Sequence, residues 1–219
     1  MSKINSFIKN NKSNTFVLIK QDGTKVYNPK IKGLKLFFGG VNNYFEIHEP
    51  FAINKELKVR FIRDNGVLII GKHSWFNKGK IISDYNTKIT IGTHFSARSL
   101  IINTNTANGK EIKIGNGCMI SYDVIIRNSD AHTIFDKNTK EILNKPTDVI
   151  IGNQVWLGAR AIVLKGAKIP SGCVIGAGAI INKAFEEENC ILAGVPASIK
   201  RRNITWDGRA HTFWEKSTN

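Results

Sequence analysis

The chain has 219 residues, the length of one domain or of one domain with a small appendage. Hydrophobic residues make up 42% and charged residues 22%, close to globular averages, and no apolar run approaches the roughly 18 residues that a membrane-spanning helix requires. Lys and Arg number 32 against 17 Asp and Glu, and the formal net charge of +15 suits nucleic acid, anionic lipid, a phosphorylated cofactor or an acidic polymer without choosing among them.

The opening stretch MSKINSFIKNNKSNTFVLIK interrupts its apolar residues with Asn and Lys, so it lacks the apolar centre of a secretory signal and a cytoplasmic location is expected. Residues 1–33 are an N-terminal segment ahead of any repeat. Residues 34–69 carry degenerate coils, in which GGVNNYFEI and RDNGVLII supply Asn/Gly corners before apolar runs. A six-residue period then emerges as IGKHSW, FNKGKI and ISDYNT from Ile70, and continues as IGTHFS and ARSLII from Ile91. The polar stretch Asn103 to Lys113 is a small excursion, after which IGNGCM, ISYDVI and IRNSDA resume from Ile114. From His132 to Asp148 the segment HTIFDKNTKEILNKPTD abandons the period, which predicts a projecting loop over 133–148 on a rigid scaffold, a usual place for function.

The period is clearest from Ile151, as IGNQVW, LGARAI, VLKGAK, IPSGCV, IGAGAI and INKAFE. The first position is aliphatic throughout, the fifth is small or modest at Val155, Ala161, Ala167, Cys173 and Ala179, and Gly recurs at the second or fourth. A helix wants a period of about 3.6 and an amphipathic strand about 2, so neither accounts for six. An all-β solenoid does: each hexad is a short strand plus a corner, and three hexads close one triangular coil of about 18 residues. The coil runs from 34 to 183, and residues 184–219 form a C-terminal cap and tail, with a strand around Ile191 followed by Pro196 and a short basic helix. Cys118, Cys173 and Cys190 are widely spaced without a CxxC pair, which argues against disulfides and a Cys-rich zinc site and for reduced, buried thiols.

The block IGNQVWLGARAIVLKGAKIPSGCVIGAGAIINK, with AGVPASIKRR after it, resembles the hexapeptide-repeat acyltransferases. IRNSDAHTIFD followed by NQVWLG is similar to the bacterial capsule O-acetyltransferases, including those acting on polysialic acid. The resemblance covers roughly residues 34 to 205. It implies a left-handed parallel β-helix, a homotrimer, acetyl-CoA as donor and a surface-glycan hydroxyl, such as one on the sialic acid of a capsule, as acceptor. The handedness comes from the resemblance alone.

Acetyl transfer to a hydroxyl needs a base, donors for the developing oxyanion and a grip on the phosphorylated donor. His132, at the mouth of the loop, is the candidate base by its chemistry and by its match to the family's catalytic position. Asp130, Asp136 or a backbone carbonyl would orient it. Trp156 matches a family Trp near the thioester, and its indole N–H can donate to an oxyanion. For the donor, the resemblance transfers Gly158, Ala159, Ala177, Asn182, Lys183 and Arg201. Ser198 stands where many relatives carry Arg, so the phosphate contact is absent or falls to Lys200 or Arg202. Cys118 and Cys173 sit at the fifth, core-lining position and are small hydrophobes, not nucleophiles.

The other histidines, His48, His73, His94 and His211, are packing or surface residues on this reading, and no pair has the five-residue spacing of a three-His zinc site, so no metal is expected. Lys is scattered over nearly every corner rather than concentrated on one face with interleaved aromatics, which weighs against nucleic acid or a membrane surface as partner. A small acceptor, meaning a free sugar, an amino sugar nucleotide or a drug, is the alternative to a polymer.

Overall fold

The computed structural model describes residues 13–209, and every regular element in them is a β-strand. His211 lies outside the described residues. The strands stack as three ladders that the chain visits in turn.

The first ladder is parallel and runs through β1 (Thr15–Ile19), β4 (Tyr44–His48), β6 (Val67–Ile70), β8 (Lys88–Ile91), β10 (Glu111–Ile114), β13 (Val149–Ile151) and β16 (Lys168–Ile169). The second stacks the front halves of β5 (Phe51–Phe61), β7 (Ser74–Ser83) and β9 (Ser96–Asn103) on β11 (Met119–Ile120), β14 (Trp156–Leu157), β17 (Val174–Ile175) and β19 (Ile191–Gly194). The third joins β3 (Leu34–Phe38) to the back halves of β5, β7 and β9, then to β12 (Val124–Arg127), β15 (Ile162–Val163) and β18 (Ile180–Ile181). In the last coils Ile151 pairs with Ile169, Trp156 with Val174 and Ile162 with Ile180, one coil of 18 residues apart each time. Upstream coils are longer, with bonds between neighbouring corners spanning 21 to 24 residues.

The hexad positions have separate physical jobs. The first and fifth point inward: Ile151, Leu157, Val163, Ile169, Ile175 and Ile181 are buried, as are Val155, Ala161, Ala167, Cys173 and Ala179. The fourth takes the left-handed conformation in the first five of these hexads, with φ of 50° at Gln154, 58° at Arg160 and 71° at Gly172. His73 and His94 fill the same corner position at φ 59° and 55°, where both are exposed and their rings stack 4.5 Å apart. The second is held to Gly where the next coil passes underneath: a Cβ on Gly158 would lie 2.6 Å from the Ile175 carbonyl oxygen and 2.7 Å from the Ala177 nitrogen. The longer upstream coils enclose a wider cross-section, and phenylalanines fill it, with Phe16 stacked on Phe45 and Phe38 on Phe61. All three cysteines are free and buried, and burial pushes the Cys118 thiol up to about 11.

The first ladder already includes β1, upstream of residue 34, and β2 (Lys25–Tyr27) folds back antiparallel on it. At the other end the expected basic helix after Pro196 is absent. Residues Ala197–Arg201 form strand β20, antiparallel to β19, and cover N–H and C=O groups that the last rung of the second ladder would otherwise leave unpaired. Between β12 and β13 the predicted loop projects as a small hairpin, with Phe135 bridging Ile142 and the Leu143 amide donating to the Ile134 carbonyl at 2.9 Å.

Candidate active site

The hairpin leaves the corner between the third and first ladders. Its base is fixed to the stack by Asn128, whose carbonyl accepts from the Thr147 amide at 3.1 Å, and by Ser129, whose hydroxyl donates to the Asn105 carbonyl. The Asn103 to Lys113 excursion is likewise tied to the stack. Its Thr106 amide donates to the buried Asp84 carboxylate at 2.7 Å, and Asp84 also takes the Arg63 guanidinium at 2.6 Å. Burial works to raise the Asp84 pKa, but Arg63 and the Thr106 and Tyr85 amides outweigh it and hold the carboxyl below its ordinary range.

His132 sits exposed at the hairpin mouth, directly after Ala131, whose φ of 67° turns the chain outward. Its backbone is pinned by Asn144. The Asn144 side-chain NH₂ donates to the His132 carbonyl at 2.8 Å and to the Asp130 carboxylate at 3.0 Å, while its oxygen accepts the Ile134 amide at 2.7 Å. Lys165, one coil further on, donates to the same Asp130 oxygen at 2.6 Å, and this ion pair followed by Asn144 holds the Asp130 carboxyl below its usual range. Asp136 accepts the Asn138 and Thr139 amides within the hairpin turn, both at 2.8 Å. Both carboxylates named as orienters of His132 are therefore occupied, and among the described residues no side chain bonds to its ring. Asn144 had no mark in the sequence beyond lying in an aperiodic loop.

Trp156 opens β14 on the outer face of the second ladder and is 36% exposed. Trp206 packs against it with ring centroids 6.0 Å apart, and the Trp206 indole N–H is spent on the Gln154 carbonyl at 2.8 Å. The Trp156 indole N–H has no partner among the described residues. Trp206 comes from the irregular tail, 52 positions from its hydrogen-bond partner, and nothing periodic points to it.

The positions assigned to a donor fall in two corner columns and at the end of β20. Gly158, Ala159 and Ala177 stack at the corner between the second and third ladders, next to Trp156. The Gly158 amide is spent on the Ile175 carbonyl at 2.8 Å and the Ala159 carbonyl on the Gly178 amide at 2.8 Å. The amides of Ala159 and Ala177 have no such partner among the described residues, and their methyl side chains leave the backbone approachable. Asn182 and Lys183 are exposed at the corner below Lys165, where the Lys183 ammonium lies 5.5 Å from the centre of the Phe185 ring. Arg201 ends β20 and is exposed, whereas Arg202, offered above as a substitute phosphate contact, is paired with Glu187 at 2.9 Å. His132 and Trp156 thus border different faces of one chain, and no contact joins them. Among the described residues no group of three His, Cys, Asp or Glu side chains is placed to hold a metal ion, and no helix is long and apolar enough to cross a membrane.

A family model described as bacterial transferase hexapeptide (six repeats) matches residues 148–183. The chain is 38% identical over 131 residues to a polysialic acid O-acetyltransferase of Escherichia coli O1:K1 / APEC, covering 59% of this chain and 41% of that protein. It is 45% identical over 96 residues to a polysialic acid O-acetyltransferase of Neisseria meningitidis, covering 44% of this chain and 45% of that protein. The chain thus spans less than half the length of these two curated relatives. The crystal structure of the polySia-specific acetyltransferase NeuO superposes with a TM-score of 0.76 at 30% identity, covering 94% of this chain and 95% of that one.

Proposed function

The chain belongs to the hexapeptide-repeat acyltransferase family, and on that premise we propose that it is an acetyl-CoA-dependent O-acetyltransferase whose acceptor is a hydroxyl of a bacterial surface polysaccharide, the sialic acid of a capsule being the best candidate. The finer architecture proposed with it is a left-handed parallel β-helix that works in the cytoplasm as a homotrimer. The observation that carries the reading is agreement with the polySia-specific enzyme along almost its whole length, together with exposed His132 and Trp156 on an otherwise closed stack.

In this mechanism the neutral His132 imidazole takes the proton of the acceptor hydroxyl as its oxygen attacks the thioester carbonyl. The Trp156 indole N–H donates to the oxyanion that forms there, an interaction stronger in the transition state than in the ground state. As the tetrahedral centre collapses the C–S bond breaks, and His132 returns its proton to the departing sulfur. Acetyl-CoA would supply the activated acyl carbon as co-substrate. The free Ala159 and Ala177 amides suit its pantetheine arm, and Lys183 and Arg201 suit its phosphates. The position of His132 and Trp156 on different faces favours a trimer, in which His132 of one subunit meets Trp156 of a neighbour across a shared groove. The test is thiol release from acetyl-CoA across a panel of glycans, with mass spectrometry of the product. Acetyl-dependent mass gain on a sialylated polymer supports the reading, and thiol release with small sugars alone overturns the polymer assignment.

A further inference from the structure

The proposed donor positions lie in the coil of Trp156 or after it, so the coils before it are left for the acceptor. On that side the outer face of the second ladder is hollowed into a groove of about 320 Å³, lined by Trp75, Ser96, Arg98, Met119, Tyr122 and Trp156 among others. Trp75, Ser96, Met119 and Trp156 are successive partners in one register row, so the groove runs along the stack axis and ends at the proposed oxyanion donor. Arg98 is its cation. The residues before it and before Ser121 and Gly158 pair in register, Ala97 with Ile120 and Ile120 with Leu157, which sets Arg98 two ladder steps, about 10 Å, from Gly158 along the axis. The Arg98 guanidinium rests over the Trp75 indole, 5.0 Å from the ring centre. No carboxylate of the described residues pairs with it. Asp123, one residue past the groove-lining Tyr122, accepts from the Ser99 hydroxyl at 2.6 Å.

A guanidinium that lies on an indole keeps its in-plane N–H groups for a planar pair of oxygens, and such a fork suits a carboxylate. Aromatic rings along it, the exposed Tyr122 and Trp156 and the half-buried Trp75, suit the apolar faces of sugar rings. We propose that this groove is the acceptor subsite, with Arg98 binding the carboxylate of an acidic sugar and so selecting an anionic glycan over a neutral one. The proposal rests on the O-acetyltransferase reading for its reaction, but the binding it asserts is separately measurable.

The test uses polysialic acid oligomers and the same oligomers with carboxyl groups reduced to alcohols, measured for binding by calorimetry and for turnover with acetyl-CoA. The wild-type chain should bind the acidic oligomer at least about tenfold more tightly than the reduced one. Arg98→Gln should lose that preference and raise the KM for the acidic oligomer by a similar factor, with the KM for acetyl-CoA unchanged. Should Arg98→Gln fail to fold, Arg98→Lys reads the same quantity, because it keeps the charge and loses the fork. Binding with a lost preference but no acetyl transfer would uphold the subsite and defeat the enzyme reading. Transfer with an unchanged preference in the Arg98 variants, or no binding of the acidic oligomer by the wild type, overturns the subsite.

Discussion

Asn144→Ala isolates the geometry of the proposed base from its chemistry. The substitution removes three hydrogen bonds, to the His132 carbonyl, the Asp130 carboxylate and the Ile134 amide, at 2.8, 3.0 and 2.7 Å. A net hydrogen bond contributes about 0.5–1.5 kcal/mol, and partial exposure puts these near the lower end, so the hairpin mouth loses on the order of 2 kcal/mol of local order. The stack is untouched, because the hairpin remains clamped at Asn128 and Ser129, and the melting midpoint should move by less than about 3 °C. A catalytic group displaced by about 1 Å can lose on the order of 10² in rate, so kcat should fall about 10- to 100-fold while the KM for acetyl-CoA stays near its wild-type value. Stopped-flow thiol release gives kcat, and hydrogen exchange at the Ile134 amide shows whether the pin has gone. Asn144→Asp keeps an acceptor for Ile134 but loses the donor to His132 and sets a second carboxylate beside Asp130, so it should behave like the alanine variant. A kcat within about twofold of wild type, with Ile134 protection lost, would refute the view that Asn144 positions His132.

Four further outcomes follow from the same geometry. His132→Ala should fold normally and lose about 10² to 10⁴ in rate, as measured by single-turnover transfer; retention of a tenth of turnover removes it from the chemistry. Trp156→Phe keeps the ring that Trp206 packs on but loses the free N–H, so kcat should fall more than acetyl-CoA affinity, and an unchanged kcat would mark Trp156 as packing only. Lys183→Ala and Arg201→Ala should each raise the KM for acetyl-CoA with kcat spared, an effect that shrinks as salt rises, and equal affinities in single and double variants would make both plain surface. Burial raises all three cysteine pKa values, Cys118 to about 11, so the thiols stay neutral in the fold. A group with a raised folded pKa stabilises fully below its unfolded value, here 9.0, and that contribution is lost as pH climbs towards about 11. Stability should therefore decline over that alkaline window, and iodoacetamide at pH 8 should label the native chain only as fast as it unfolds.

The regular coils were legible because each hexad position answers to one constraint. Aliphatic first and small fifth positions predicted the inner wall, and it is buried as expected from Ile151 to Ile181. Upstream the longer corner spacings blur the six-residue phase, so β3 to β6 were visible only as degenerate coils and β1 not at all. Strand β20 failed differently. Its inward alternation covers only Ala197 and Ile199, too short to outweigh the run of Lys200, Arg201 and Arg202 that suggested a basic helix. His132 and Trp156 were proposed for the site from neighbouring residues along the chain. Asn144, Trp206 and Arg98 meet their partners across the hairpin, the tail and the stacked coils, which no local period encodes.

In the regular region, coils of equal length on three ladders make the molecule sensitive to the phase of any insertion or deletion rather than to its size. Removing a whole coil from the regular region would shorten the stack but return every later residue to the same face. Removing a single hexad such as Ile169–Val174 would turn everything downstream by a third of a revolution, carrying Ala177 out of the column it shares with Ala159 and Lys183 away from the corner of Lys165. Length can therefore change by full revolutions, or by loops that leave and rejoin at one corner as the His132 hairpin does, and the two halves of the candidate site stay aligned only under those two kinds of change.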